Sequence, residues 1–218
     1  MNPEKKALTA VLDYGMGNLF SVSKALECSG HEVKMVSSGS LPEKATHLVL
    51  PGVGAFAQGM ESLVARGFDR IILDWVASGK PFLGICLGMQ LLFDESFEFG
   101  HYRGLGVFQG SVVGFDPLKG KVPHMGWNQV EKKKEITLLK GLPDHFDAYF
   151  VHSFHVVAKK EDDIAGVTDY QGKFTSVVAN GSVFGVQFHP EKSQSAGLAI
   201  LSHFAQCQKV KNEALSSN

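Results

Sequence analysis

Residues 84–93 read GICLGMQLLF, a cysteine held between two glycines where an apolar strand runs into an apolar helix. Upstream, KPFL (80–83) reads as the end of a buried strand. Downstream, Met89 to Phe93 read as a first helical turn and a half. A plain strand-to-helix connection needs one glycine at most. Glycines on both sides of Cys86 indicate a turn so tight that neighbouring backbone and side chains must be cleared away. Such a turn lifts a nucleophile clear of its sheet, as the G-x-S-x-G elbow does for serine. The same five residues also admit a small buried cysteine packed like an alanine.

The segments around the elbow decide what kind of sheet it belongs to. ALTAVLDYG (7–15) reads as a buried strand and NLFSVSKALECSG (18–30) as a helix closed by Gly30. HEVKMV (31–36) and THLVLPG (46–52) read as strands, and QGMESLVARG and FDRIILDWVASG as helices ending in glycine. This alternation predicts a largely parallel sheet covered on both faces. The second half is different: GLGVFQGSVVGF, HMGWNQV, DAYFVHSFHVV, IAGVTDY, FTSVVAN and SVFGVQF are short, β-branched and glycine-punctuated. They predict mostly antiparallel strands added to the same core. An amphipathic helix over about 195–207, with Leu198, Leu201, Phe204 and Ala205 on one face, follows. EKKKE (131–135) reads as a solvated hairpin tip and KVKNEALSSN (209–218) as a frayed tail. The fold class expected is therefore α/β, an open mixed sheet with helices on both faces, in a single domain over 1–218.

Composition excludes several classes of function. A formal charge of -1 over 218 residues leaves no electrostatic footprint for nucleic acid or an acidic membrane surface. The first apolar run is too short for a secretory signal, and no run is long enough to cross a bilayer. The three cysteines, Cys28, Cys86 and Cys207, are odd in number and form no C-x-x-C pair. That argues for a reducing, cytoplasmic setting rather than a disulfide framework.

A cysteine nucleophile needs a base and a group to orient that base. GVQFHPEKS puts His189 directly after an apolar strand, and Pro190 restricts it to extended geometry. In an extended segment Glu191 shares a face with His189 and can reach its far nitrogen, the third-member role of a triad. Taken alone, H-P-E reads better as an ordinary strand end with a surface histidine and a solvated Glu191. In open α/β sheets function gathers at the carboxyl ends of strands, where both Cys86 and PGVG (51–54) fall.

GICLGMQ, with PGVGAF upstream and QFHPEKS downstream, resembles the class I triad glutamine amidotransferases. DYGMGNL (13–19), PGVGAFAQGM (51–60), PHMGWN (123–128) and YFVHSF (149–154) narrow the resemblance to the glutaminase subunits of imidazole glycerol phosphate synthases. These blocks span essentially the whole chain. The resemblance implies a flavodoxin-like glutaminase fold and hydrolysis of glutamine by Cys86, His189 and Glu191. Ammonia would pass to a (β/α)-barrel cyclase subunit, held as a heterodimer, that makes imidazole glycerol phosphate and AICAR in histidine biosynthesis. No cofactor and no metal are implied. The oxyanion donors would come from the Leu87 amide, next after the nucleophile, and from PGVG at Gly52 and Val53. Gln90, one turn past Cys86, suits a contact to bound glutamine. Family members use the V-H-S-Y main chain for the substrate's α-carboxylate, so Ser153 and Phe154 take that role, Phe154 standing where Tyr is usual. The DYGMGN loop, with Asn18, and PHMGWN, with Met125 and Trp127, would face the synthase partner.

Other readings remain open to the sequence. DYGMGN follows a strand and opens a helix, but Phe20 occupies the third glycine position of a dinucleotide turn, and no acidic residue follows at the right spacing. His152 and His155 have metal-like spacing, yet on one strand they would point to opposite faces and be structural. Cys28 and Cys207 read as inert packing residues inside helices. A related triad glutaminase serving another synthase, such as one in sugar amidination, is one alternative function. A catalytically silent binding module on the same fold is another.

Overall fold

Parallel pairing brings the middle of the chain beside its end. A computed structural model describes residues 6–210. The first half holds β1 (Leu8–Leu12), α1 (Leu19–Cys28), β2 (Glu32–Val36), β3 (His47–Gly52), α2 (Phe56–Ala65), α3 (Phe68–Ala77) and β4 (Phe82–Cys86). A single turn of helix, α4 (Leu87–Gln90), leads to β5 (Phe93–Ser96), β6 (Tyr102–Arg103) and β7 (Phe108–Gly114). Then follow β8 (His124–Lys132), β9 (His145–His152), β10 (Phe154–Ala158), β11 (Ile164–Asp169), β12 (Lys173–Asn180), β13 (Val183–Val186) and α5 (Gln194–Ala205).

Five strands run parallel in the order β2-β1-β3-β4-β13. This is the flavodoxin-like order, with β13 taking the fifth place. From β13 the sheet continues through antiparallel β12, β10 and β7, while β11, β8 and β9 branch off as a further antiparallel layer. Side-chain alternation divides the core in two. Ala10, Leu12, Leu48, Leu50 and Phe82 pack with Phe56, Leu63, Phe68 and Ile72 of α2 and α3. Val11, Val49, Leu83 and Ile85 pack with Val22 and Leu26 of α1 and with Ile200, Leu201 and Phe204 of α5. Each of these buried Leu, Ile and Phe side chains contributes on the order of 1.5–3 kcal/mol, so the parallel strands are held from both faces.

Several expectations change on contact with the structure. Residues 183–186 are not simply another antiparallel addition: β13 pairs parallel with β4 on one side and antiparallel with β12 on the other. The run Leu91–Phe93 does not prolong the helix. Leu91 and Leu92 turn out of it so that their carbonyls receive the amides of Leu105, Val107 and Phe108. EKKKE is solvated only in part: Lys133 and Glu135 are exposed, but Glu131 and Lys132 still belong to β8 and the Lys132 side chain is 6% exposed. Its ammonium donates to the Leu142 carbonyl at 2.9 Å and pairs with Glu135 at 2.7 Å, which replaces the lost water. In α5 the buried stripe is Gly197, Ile200, Leu201 and Phe204, while Leu198 faces outward. Cys28 ends α1 and is exposed rather than packed inside, and Cys207 is buried just beyond α5 rather than within it. Of the tail expected to fray, residues 211–218 lie outside the described residues.

Candidate active site

The three segments that carry candidate chemistry end side by side. In register, Gly52 of β3 lies opposite Cys86 of β4, and Val186 of β13 lies opposite Ile85. Because all three strands run parallel, the PGVG turn, the elbow and the H-P-E turn emerge at one edge of the sheet, with Cys86 in the middle.

Cys86 has φ 54° and ψ −112°, a backbone conformation that side-chain-bearing residues rarely adopt. Strain of that kind costs on the order of 1–3 kcal/mol and persists only where the surroundings enforce it. The two flanking glycines provide the enforcement. A Cβ on Gly84 would lie 2.7 Å from the Gly88 carbonyl oxygen, and a Cβ on Gly88 would lie 1.8 Å from that of Leu50. The turn closes upon itself and upon β3, and any side chain at either position would prise it open.

His189 is extended, with φ −100° and ψ 99°, while Pro190–Lys192 form a 3₁₀ turn rather than a continued extended segment. Glu191 therefore reaches the ring by curling back, and its Oε1 accepts from Nδ1 at 2.8 Å. Both side chains are buried. Among the described residues Nε2 has no other hydrogen-bond partner, and the ring interacts with Cys86. Burial lowers the imidazole pKa, but the interactions with Cys86 and Glu191 outweigh it and hold it up to about 10. The turn is anchored from behind: the His189 amide donates to the Tyr149 carbonyl, and Ser193 Oγ donates to the His189 carbonyl at 2.7 Å. Gly197 of α5 is needed there, since its Cβ would stand 1.9 Å from the Pro190 carbonyl oxygen.

A cleft of about 380 Å³ opens over the thiol, its lining including Val53, Gly54, Leu87, Gln90, His152, Ser153 and Phe154. Of the expected oxyanion and substrate residues, Val53, Leu87, Gln90, Ser153 and Phe154 line the cleft with Cys86, while Gly52 does not line it and lies opposite Cys86 in the β3–β4 register. Gln90 Nε2 donates to the Phe154 carbonyl at 2.9 Å and to Gln187 Oε1 at 3.0 Å. Gln187 Nε2 in turn donates to Cys86 Sγ at 3.7 Å.

Four residues near the site escape the sequence reading. Gln187 is one; its only signal is a polar side chain inside the apolar run VFGVQF. Glu98 also lines the cleft, its carboxylate raised in pKa by burial while accepting from the Phe56 amide at 2.7 Å. Phe99 stands at the mouth, its ring 5.7 Å from that of Phe154. Tyr14 lies beneath, its hydroxyl buried against Gly52 and without a hydrogen-bond partner among the described residues. Burial, and secondarily Cys86, push that phenol well above its usual pKa. The expected partner-facing residues are at the surface: Asn18 caps α1 through the Ser21 amide, and Met125 and Trp127 project from β8. The bend at Ser153 interrupts the strand, so His152 and His155 do not point to opposite faces. Both rings contact Phe115 and Phe174.

The family model for glutamine amidotransferase class-I matches residues 10–206. The imidazole glycerol phosphate synthase subunit HisH of Aquifex aeolicus is 49% identical over 210 residues, covering 96% of this chain and 99% of that protein. The chain belongs to the class-I glutamine amidotransferases, in the HisH family. The HisH subunit of Wolinella succinogenes is 45% identical over 203 residues, covering 91% of this chain and 99% of its own. Among solved structures, PurLQS from Thermotoga maritima is similar with a TM-score of 0.73 at 19% identity, over 93% of this chain and 99% of that one. At that identity the likeness speaks for the fold, a class-I amidotransferase sheet, and not for the acceptor of the ammonia.

Proposed function

We propose that this HisH-family chain is the glutaminase subunit of an imidazole glycerol phosphate synthase, a single cytoplasmic domain paired as a heterodimer with a cyclase subunit in histidine biosynthesis. Cys86 gives its thiol proton to His189 as its sulfur attacks the carboxamide carbon of glutamine, and an S–C bond forms. Leu87 and Val53 supply amide donors to the developing oxyanion, and His189 transfers a proton to the departing nitrogen. The C–N bond breaks to give ammonia and a glutamyl thioester. Water, deprotonated through His189, then releases glutamate and restores the thiol. Glu191 keeps His189 in the tautomer with hydrogen on Nδ1 and balances the imidazolium. The Ser153–Phe154 main chain and the buried Glu98 carboxylate offer opposite polarities to the two charged ends of an amino acid.

The observation that carries this reading is the strained Cys86 between two indispensable glycines, with His189 held beside it by Glu191. Ammonia in water is protonated and lost as a nucleophile, so a partner must consume it. Cys86→Ala in the assembled synthase tests the division of labour. Glutamine-dependent synthesis should vanish while synthesis from added ammonia persists; loss of both would refute it.

A further inference from the structure

A hydrogen-bond chain runs from the outer strands to the nucleophile, and a single group fixes the direction of every bond between Asn128 and Phe154. The Phe154 carbonyl can only accept, and it accepts from His152 Nδ1 at 2.8 Å as well as from Gln90. A neutral imidazole carries one donor and one acceptor. His152 Nε2 is therefore an acceptor, and His124 Nδ1, 2.9 Å away, must be the donor. His124 Nε2 is then an acceptor in its turn, served by Asn128 Nδ2 at 3.1 Å. The second hydrogen of that amide goes to the Asp169 carbonyl at 3.0 Å. The two histidines face each other in register across β8 and β9, both buried, with Tyr170 stacked on His124 at 4.0 Å. Burial lowers their pKa values to about 4 for His124 and about 3 for His152, which keeps both rings neutral at physiological pH.

We infer that His124 and His152 are positioning residues for glutamine binding, acting through the Phe154 carbonyl on the side-chain amide of Gln90. This rests on the glutaminase reading above. With both Gln90 hydrogens committed inward, to Phe154 and Gln187, the group that Gln90 offers to the cleft is its Oε1, an acceptor. Glutamine brings N–H donors at its ammonium and at its carboxamide, so an acceptor is the complementary group. If the Phe154 carbonyl loses the His152 hydrogen bond it can swing away, and Gln90 then loses one of the two bonds that hold its Oε1 toward the cleft. The same chain begins on β8 among the exposed Met125 and Trp127, so the segment read as partner-facing and the substrate cradle share one set of bonds.

The test has two independent arms. In the full chain labelled with ¹⁵N-histidine, ring nitrogen shifts should report Nδ1–H tautomers for both residues. A coupling across the bond between His124 Nδ1 and His152 Nε2 should be visible. Nε2–H tautomers, or no coupling, would overturn the chain whatever the activity. In the assembled synthase, His124→Leu leaves the His152 acceptor unpaired and should raise KM for glutamine by roughly 5- to 100-fold, with kcat falling less. His124→Asn, whose amide can donate from nearly the same point, should recover most of that affinity. An unchanged KM in a folded His124→Leu assembly would overturn the positioning role. Absence of glutamine turnover in the wild-type assembly would instead overturn the glutaminase reading and with it this role, the ring tautomers standing as measured.

Discussion

Replacing Gly52 by alanine tests the close approach on which the site is built. Gly52 does not have a left-handed φ, so the backbone itself accepts alanine and the obstacle is steric. The new Cβ would lie 2.1 Å from Tyr14 Oη, with Leu87 Cβ at 3.1 Å and the Gly88 nitrogen at 3.3 Å. A buried ring must move to admit it, and overpacking of this kind costs about 1–3 kcal/mol. For a chain of this size that lowers Tm by roughly 2–12 °C. Tyr14→Phe removes the offending atom. Because that hydroxyl has no partner, its loss alone should leave stability within about 1 kcal/mol of wild type. The double variant should therefore be more stable than Gly52→Ala alone, by about 1–2 kcal/mol of favourable coupling, short of full recovery because the Leu87 contact remains. Urea titrations of the four proteins give the cycle directly. Simple additivity, or a Gly52→Ala protein as stable as wild type, would refute the argument.

Three further outcomes are expected. His189→Ala should cost nearly as much glutamine turnover as Cys86→Ala, Glu191→Gln less, and double variants should match the worse single; near-normal hydrolysis by His189→Ala would exclude it as the base. The isolated chain should hydrolyse glutamine slowly, and the cyclase with its nucleotide should accelerate it by about 10²–10³ or more, the worth of one oxyanion donor. Gly54→Val should blunt that acceleration without weakening assembly, since Gly54 has φ +110° and its Cβ would meet Met16 Cε at 2.7 Å; full-speed hydrolysis by the isolated chain would refute the coupling. Acid should destabilise the fold through histidines buried neutral, His47 and His124 with pKa lowered to about 4 and His152 to about 3. Above the unfolded value of about 6.5 they contribute nothing; below it the unfolded chain binds protons the native one refuses, each removing up to about 1.4 kcal/mol per pH unit until the native pKa is reached. Urea midpoints that stay level from pH 6.5 to 4.5 would contradict this.

What was legible in the sequence was what is decided locally. Gly84 and Gly88 are demanded by atoms within the same turn or on the adjacent strand, so the pattern around Cys86 carried its own geometry. Pro190 bounded the H-P-E turn in the same way, although Glu191 reaches the ring by a 3₁₀ curl and not along an extended face. What escaped depends on distant pairing. The insertion of β13 between β4 and β12 is not written in residues 183–186, yet it is what puts His189 beside Cys86. Gln187, Glu98 and Tyr14 reach the site for the same reason. The outward face of Leu198 and the buried stem of Lys132 are not legible in the sequence, because neither helix periodicity nor a run of charge says which neighbours arrive.

The late arrival of β13 also has a consequence for biosynthesis. Until residues 183–186 leave the ribosome, β4 is the open border of a four-stranded sheet, and FLGIC presents unpaired backbone on a wholly apolar strand. Such a border invites pairing with another chain. Roughly a hundred residues separate the two strands, so at about 5–20 residues per second the exposure lasts on the order of 5–20 s. The nascent protein is thus most vulnerable to aggregation through the strand that ends in Cys86, and chaperone occupancy during translation should peak over this interval. On the proposed triad the same delay keeps a nascent chain from wasting glutamine, because Cys86 has no His189 beside it until the strand that seals the border has been made.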